Sequence, residues 1–347
     1  KMIKADGSTL IKSLLLGSLV LSALGVISTR AEARSSAVIL MYHRFGETAF
    51  PSTNIRLKQF DKHIEELSNG TYTVWPVTKI IAAIRKGEDL PDRTVGITVD
   101  DGFRSVYTEA WPRLKKAGLP FTVFVATAPI NRGSNNYMSW DQIRTLKKAG
   151  VEIGAHTASH NHMPASDAAR NEAELENSNA RMIQEIGAAP VLFAYPFGEA
   201  SLKAQKLVRQ KGYKMAFGQH SGVVNTSTDF NYIPRFALNE NYGDINRLRL
   251  VLNALPLPAN DITPADPLIA KNNPPDFGFT VAASVKNLHR LACFSSSEGR
   301  VRVERLGPRI EVRMTNAFPK GRTRINCTLP GPENRWHWFG TLFVVPQ

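Results

Sequence analysis

Short apolar runs rich in β-branched residues recur along the first two thirds of this chain, and between them apolar positions return every three or four residues. The first pattern is typical of buried strands and the second of amphipathic helices. Strands that alternate with helices predict a mainly parallel sheet. The predicted strands are Ala37–His43, Val95–Val99, Phe121–Val125, Val151–Ala155 and a run that starts at Leu192. The predicted helices are Leu57–Leu67, Thr78–Arg85, Val106–Ala117, Trp140–Ala149, Ser166–Ile186 and Leu202–Lys211.

The pattern changes after about Ala254, which ends a large domain predicted over residues 34–254. Residues 255–275 are rich in proline and have no period, as in a linker or an ordered strap. Beyond them, strand-like runs predict a small antiparallel β domain over residues 276–347. These runs are Phe279–Ala283, Val301–Glu304, Ile310–Met314, Thr323–Thr328 and Phe339–Val345.

Residues 1–33 follow neither pattern. Three lysines precede an apolar stretch from Leu14 to Ile27, and the small residues Ala31 and Ala33 follow it. This order is typical of a secretory signal peptide with its cleavage site. The apolar stretch is shorter than the roughly 18 residues of a membrane span, so we expect no transmembrane span after cleavage. We therefore predict an exported protein, periplasmic or extracellular in a bacterial envelope.

Candidate chemistry follows two of the predicted strands. Asp100, Asp101 and Gly102 come directly after one strand, and His156 and His160 come after another. Catalytic residues of β/α folds gather where strands end in loops. One carboxylate and two imidazoles suit a divalent ion such as zinc, with cobalt or nickel as alternatives, and an open fourth position marks a catalytic site. We predict that Asp101, His156 and His160 bind the metal and that Asp100 is the general base.

These motifs, followed by the turn Tyr195-Pro196-Phe197, resemble the polysaccharide deacetylase family over roughly residues 36–240. The family is also called carbohydrate esterase family 4 or the nodulation-protein-B homology domain. The resemblance implies an α/β fold, a distorted β/α barrel of about seven strands. It also implies the base and metal-ligand roles given above, and that Tyr195, Pro196 and Phe197 bind substrate. Because proline has no N–H, Phe197 is the predicted hydrogen bond donor to the tetrahedral oxyanion.

The sequence departs from the family pattern in two places. The third motif often carries an arginine two residues before the proline, where this chain has Ala194. Arg235 is the predicted substitute, with a surface or structural arginine as the alternative. The fifth motif often supplies a histidine as general acid, but no histidine lies between His220 and His289. Poly-N-acetylglucosamine deacetylases of the family look similar around His43, which we predict to be the acid or a site-orienting residue, against a structural role.

Two cysteines, Cys293 and Cys327, lie in the C-terminal segment without the close spacing of a zinc site. Export would place them in an oxidising compartment, and we predict a disulfide between them. Two buried free thiols are the alternative.

The chain has a formal net charge of +13 at pH 7. Such a charge suits association with an anionic envelope glycan or lipid. We expect no nucleic-acid partner, because the chain has the pattern of an exported protein and shows no recognition motif. The rings of Trp336, Trp338 and Phe339 could grip a glycan, but we favour a place in the core for two of the three.

Together these features predict an exported, metal-dependent hydrolase. Its substrate is a glycan, an amino sugar polymer or oligomer of the N-acetylglucosamine type from which it removes N-acetyl groups. One alternative is an O-acetyl glycan esterase with the same active-site groups. Another is a glycan-binding protein whose barrel has lost catalysis.

Overall fold

The computed structural model describes residues 35–346, so the predicted signal peptide lies outside the described residues. A curled parallel sheet with helices is followed by a second, mainly antiparallel sheet. Among residues 35–346, no helix combines the length and apolar character that crossing a bilayer requires.

Seven parallel strands form the barrel sheet, in the spatial order β10-β1-β5-β6-β7-β8-β9, and the short β4 pairs with β5. This confirms the predicted α/β barrel. Strands β1 and β5 are buried along their whole length, as expected of parallel strands covered on both faces. The strands up to the end of the barrel are β1 (Ala37–Tyr42), β2 (Arg44–Phe45), β3 (Asn54–Ile55), β4 (Thr73–Val74), β5 (Thr94–Val99), β6 (Thr122–Val125), β7 (Glu152–Ala155), β8 (Leu192–Ala194), β9 (Met215–Phe217) and β10 (Phe236–Ala237).

The six predicted helices are present, and local sequence explains where several of them begin and end. The Ser139 side chain accepts from the Gln142 N–H at the start of α5, and Gly87 ends α2 in a left-handed conformation. Helix α3 continues from a π-helical turn over Val106–Ala110. Two helices, α4 and α8, were not predicted. The α-helices are α1 (Leu57–Leu67), α2 (Val77–Lys86), α3 (Trp111–Lys116), α4 (Thr127–Asn131), α5 (Trp140–Lys148), α6 (Ala168–Ile186), α7 (Leu202–Gln210) and α8 (Ile245–Leu252).

The C-terminal sheet has the order β11-β18-β17-β14-β15-β16-β13-β12, and all its pairs are antiparallel except β11 with β18. Cys293 and Cys327 face each other on β14 and β17 and form the predicted disulfide. The strands are β11 (Leu255–Pro256), β12 (Ala259–Thr263), β13 (Phe277–Val281), β14 (Ala292–Ser295), β15 (Gly299–Leu306), β16 (Arg309–Arg313), β17 (Gly321–Pro330) and β18 (Trp336–Val345).

Residues 255–275, for which the sequence predicts a linker or strap, supply both edge strands of this sheet, β11 and β12. Proline is tolerated in an edge strand because one side of that strand needs no ladder hydrogen bond. A prediction from composition alone therefore misses β11 and β12.

The two parts of the chain share a core. Trp338 of β18 is buried, and its ring stands edge-on to Phe236 of β10 at 5.2 Å between centroids. Phe339 packs against the core of the C-terminal sheet, whereas Trp336 is 37% exposed. Two of the three rings thus lie in a core as predicted, but Trp338 lies in that of the barrel. Arg335 further joins the parts by donating to Asp92 at 3.0 Å.

Candidate active site

The predicted site residues meet at one rim of the barrel. Asp100 and Asp101 follow β5, His156 follows β7, and His43 follows β1. Since these strands are parallel, their carboxyl ends lie on the same side of the sheet. Because each of these side chains follows a parallel strand, all of them lie together at one rim.

Asp101, His156 and His160 form a cluster with the geometry of metal ligands. The Oδ1 atom of Asp101 lies 3.3 Å from Nε2 of His156 and 3.2 Å from Nε2 of His160. One candidate ligand atom from each residue lies within 4.8 Å of the other two. Oδ1 of Asp101 and Nε2 of His156 are buried and have no hydrogen bond of acceptable geometry. Buried polar atoms rarely lack partners, and a shared cation would satisfy both.

The backbone orients His156 for this role. Its Nδ1 donates to the Ala194 carbonyl at 2.6 Å, which leaves the lone pair of Nε2 facing Asp101. Burial alone would lower the pKa of His156, but Asp101 and Asp100 outweigh it and raise the pKa. The cluster therefore favours added positive charge, as a metal site does.

Left-handed backbone conformations recur at the site. Asp101, Thr157, His160 and Phe197 have φ of 74°, 59°, 61° and 60°. A non-glycine residue in this region costs on the order of 1–3 kcal/mol and persists where surrounding structure fixes it. The Thr157 hydroxyl contributes by accepting from the His160 N–H at 3.0 Å. At Asp101 the sharp turn lets adjacent aspartates serve one site, although neighbours in a strand point apart.

Asp100 is fully buried in a bidentate ion pair with Arg235. Nη1 and Nη2 of Arg235 each donate to one carboxylate oxygen at 2.7 Å. The guanidinium also donates to the Thr98 hydroxyl at 3.0 Å and the Gly218 carbonyl at 2.8 Å. Burial acts to raise the pKa of Asp100, but the charge and hydrogen bonds of Arg235, together with the nearby imidazoles of His156 and His43, outweigh it and the pKa is lowered. The carboxylate is therefore ionised at neutral pH, and the charge beside it comes from Arg235.

His43 lies beside this ion pair. Its Nε2 is 3.9 Å from Oδ2 of Asp100, and 14% of its side chain is exposed. Burial lowers the pKa of His43, against the opposing charges of Asp101 and Asp100. The imidazole thus lies at the same part of the rim as Asp100.

The turn after β8 corrects one prediction. The Tyr195 ring has no exposed surface, and its hydroxyl donates to the Asn231 carbonyl, so this side chain cannot line the groove. Strand alternation directs it into the core beside Phe193. Pro196 is also buried, and of the three predicted substrate-binding residues only Phe197 exposes part of its side chain.

Glu199 and Arg322 also lie at the rim, although no motif in the sequence predicted them there. Glu199 is buried and accepts from Nδ1 of His162 at 2.7 Å, and the His162 ring stacks on Phe197 at 3.9 Å. Arg322 of β17 donates to the Phe197 carbonyl at 3.1 Å. The last contact joins residues that are 125 positions apart, which local patterns cannot indicate.

Comparison with known proteins finds similar sequences. Residues 87–216 match the family model for polysaccharide deacetylases. The chain is 23% identical over 234 residues to the poly-β-1,6-N-acetyl-D-glucosamine N-deacetylase of Staphylococcus aureus, covering 59% of this chain and 80% of that protein.

Solved structures show the same fold. The deacetylase PplD of Streptococcus pyogenes superposes with a TM-score of 0.58 at 22% identity, over 62% of this chain and 98% of that one. IcaB from Ammonifex degensii superposes with a TM-score of 0.54 at 24% identity, over 62% and 96%. The barrel therefore has the fold of these deacetylases, and residues 87–216 resemble the polysaccharide deacetylase family in sequence.

Proposed function

We propose that this protein is an exported, metal-dependent deacetylase that hydrolyses the N-acetyl groups of an N-acetylglucosamine-type polymer or oligomer. The observation that carries the proposal is a three-ligand cluster beside an ionised carboxylate, Asp100, held by Arg235. The name of the staphylococcal relative supports an amide substrate on an amino sugar.

Asp101, His156 and His160 would hold the metal, and their donor types favour zinc, with cobalt or nickel as alternatives. When bound, the metal supplies Lewis-acid polarisation of the acetyl carbonyl and makes water nucleophilic near neutral pH. The two ligand atoms without hydrogen bonds, on Asp101 and His156, support this assignment.

The chain's own residues perform the proton transfers. Asp100 accepts a proton from the attacking water, and Arg235 holds the carboxylate in place while this happens. The Phe197 N–H donates to the oxyanion that develops on the acetyl carbonyl. His43 protonates the departing amine or orients Asp100, for which its place 3.9 Å from that carboxylate is suitable. The products are acetate and the free amine.

Export is supported by the pattern of residues 1–33 and by the disulfide between Cys293 and Cys327. Secreted proteins retain disulfides, whereas the cytosol keeps most thiols reduced. The substrate of the proposed reaction is then a glycan of the bacterial envelope.

A release assay on purified protein tests the proposal. Residues 34–347 are incubated with N-acetylglucosamine oligomers, and acetate is measured before and after chelation and after adding zinc or cobalt. We expect release that chelator abolishes and metal restores. Failure to release acetate from any oligomer, with metal shown to be bound, would contradict the proposal.

A parallel assay on O-acetylated xylan tests the esterase alternative. The absence of a histidine between His220 and His289 favours an ester, because its leaving group needs less help from a general acid. Acetate release from the O-acetyl substrate alone would show that the protein is an esterase and not an amidase. Glycan binding without release from either substrate would indicate an inactive, binding protein.

A further inference from the structure

Arg322, at the start of β17 in the C-terminal sheet, reaches the active-site turn of the barrel. We propose that Arg322 is a positioning residue for the oxyanion donor Phe197, so that the C-terminal sheet completes the active site. The proposal rests on the deacetylase function proposed above. Arg322 lies outside residues 87–216, the part of the chain that matches the family.

The contact restrains Phe197 in two ways. Nη1 of Arg322 donates to its carbonyl oxygen at 3.1 Å, and the guanidinium carbon lies 5.4 Å from the centre of its ring. Phe197 has φ 60° and ψ 4°, a conformation that non-glycine residues rarely adopt. Such a backbone persists only where neighbouring groups hold it, and Arg322 is one of these groups.

The geometry of the turn links the carbonyl to the proposed donor. The N–H groups of Gly198 and Glu199 donate to the carbonyls of Tyr195 and Pro196 at 2.8 and 3.1 Å. Phe197 donates to neither of these carbonyls, so its N–H takes no part in the turn's own hydrogen bonds. The N–H and carbonyl of Phe197 flank one Cα atom. Only φ and ψ of Phe197 separate the two peptide planes, so a contact that restrains its carbonyl also restricts the direction of its N–H.

Glu199 gives Arg322 a second point of attachment. This buried carboxylate accepts from His162 at 2.7 Å, and Nε of Arg322 lies 3.7 Å from its other oxygen. One third of the Arg322 side chain is exposed, so water screens the ion pair. The hydrogen bond and the ring contact with Phe197 therefore carry the positioning effect.

The arginine is presented by a docked element. Strand β17 pairs with β18 along ten residues, and β18 is anchored in the barrel by Trp338. Arg335, which precedes β18, donates to the Asn253 carbonyl at 2.8 Å. Residues on such elements hold catalytic groups more accurately than residues on free loops do.

The test compares Arg322→Ala and Arg322→Lys with the wild type and a matched control, Arg302→Ala. Arg302 lies on β15 of the same sheet, is 76% exposed and pairs with Glu304. For each metal-loaded protein, kcat and KM for acetate release are measured, together with amide hydrogen exchange in residues 195–199.

We expect Arg322→Ala to lower kcat by about tenfold or more, since removing an oxyanion donor itself costs roughly 10²–10³-fold. KM should change by less than about twofold, because the loss acts on the transition state. The Gly198 and Glu199 amides should exchange faster. Arg322→Lys should restore part of both effects, and Arg302→Ala should change neither.

An unchanged kcat, or a rise in KM alone, would overturn the proposal, as would unchanged exchange in residues 195–199. Amide hydrogen exchange can be measured even in a protein that releases no acetate. If the wild type releases no acetate, the proposed function fails, while exchange still decides whether Arg322 holds the turn.

Discussion

At the residue scale, the ion pair between Asp100 and Arg235 helps to keep the carboxylate of the site ionised. Burial would favour a neutral carboxyl, and the bidentate guanidinium, together with the imidazoles of His156 and His43, reverses this preference. Removing one partner of a buried pair typically costs about 3–5 kcal/mol, because the other charge is left without compensation. Arg235 therefore contributes both to the folded state and to the protonation state of the proposed base.

Replacing the proposed base should strongly slow acetate release but leave metal binding intact. We expect Asp100→Asn to lower kcat for acetate release by roughly 10²–10⁴-fold, the usual contribution of a general base. Zinc content should stay near that of the wild type, because Asp101, His156 and His160 are unchanged. Asp101→Asn is the control, and it should lose metal as well as activity. Full activity in Asp100→Asn would show that another group takes the proton.

Much of the site could be predicted from the sequence, because Asp100, Asp101 and His156 directly follow apolar runs that are recognisable as strands. The contact of Arg235 with Asp100 spans 135 positions, and local sequence left its role open. Tyr195 was wrongly placed on the groove, since a motif does not show which side of a turn each side chain occupies.

At the element scale, His63 joins helix α1 to the barrel. Its Nε2 donates to the Gly243 carbonyl at 2.8 Å, so the neutral Nδ1 accepts from the Tyr42 hydroxyl at 2.9 Å. Burial lowers the pKa of His63 to about 4. The folded protein therefore holds this imidazole neutral at pH values where the unfolded chain protonates it.

Stability should consequently fall as pH decreases from 6.5 to 4. In this window the unfolded state binds more protons at His63, and the difference amounts to about 3 kcal/mol at the low end. Urea unfolding of the wild type and of His63→Gln, measured across the window, checks this. The variant should show the flatter dependence. His220, whose burial lowers its pKa to about 3, acts in both proteins and cancels in the comparison. Parallel curves would exclude a contribution from His63.

The disulfide should stabilise the C-terminal sheet. Cys293 and Cys327 are separated by 34 positions. Closing a loop of this length lowers the entropy of the unfolded chain by the equivalent of about 4 kcal/mol. We expect the double variant Cys293→Ala, Cys327→Ala to unfold at lower urea concentration than the oxidised wild type. Adding reductant should destabilise the wild type and leave the variant unchanged, and equal midpoints would contradict the prediction.

Element prediction succeeded where a pattern extended over enough residues. Helix α1 was predicted with its observed bounds because its apolar positions recur over three turns. Strands β9 and β10 have three and two residues, too few to establish a period. Strand β14 has four residues and was also missed, although it holds Cys293. Such strands are specified by pairing with neighbours rather than by their own sequence.

At the scale of the whole molecule, the barrel and the C-terminal sheet form one packed unit. Trp338 belongs to the same hydrophobic cluster as the barrel strands, with Phe236 at 5.2 Å. Arg335 joins the two parts through Asp92 and the Asn253 carbonyl. Between separate domains, few buried contacts that involve side chains of this size would be expected.

Heating should therefore produce one cooperative transition. We expect Trp338→Ala to lower the free energy of unfolding by about 3–5 kcal/mol, as is typical of a large ring removed from a core. Trp336→Ala, on the same strand but 37% exposed, is the matched control and should have a much smaller effect. Calorimetry checks both. Two separate transitions in the wild type would show that the shared core does not couple the parts.

The contact between Phe236 and Trp338 also constrains how the chain reaches its native state. The two rings lie roughly a hundred residues apart, and contacts at such separation form late and slow folding. Until β18 arrives, the face of β10 that Trp338 covers stays open to solvent beside the unfinished site. Partly folded chains would thus expose an apolar surface and an unpaired strand edge together, the combination that favours aggregation. A chain truncated within β18 would therefore remain in such a partly folded, aggregation-prone form and would not fold into a smaller enzyme.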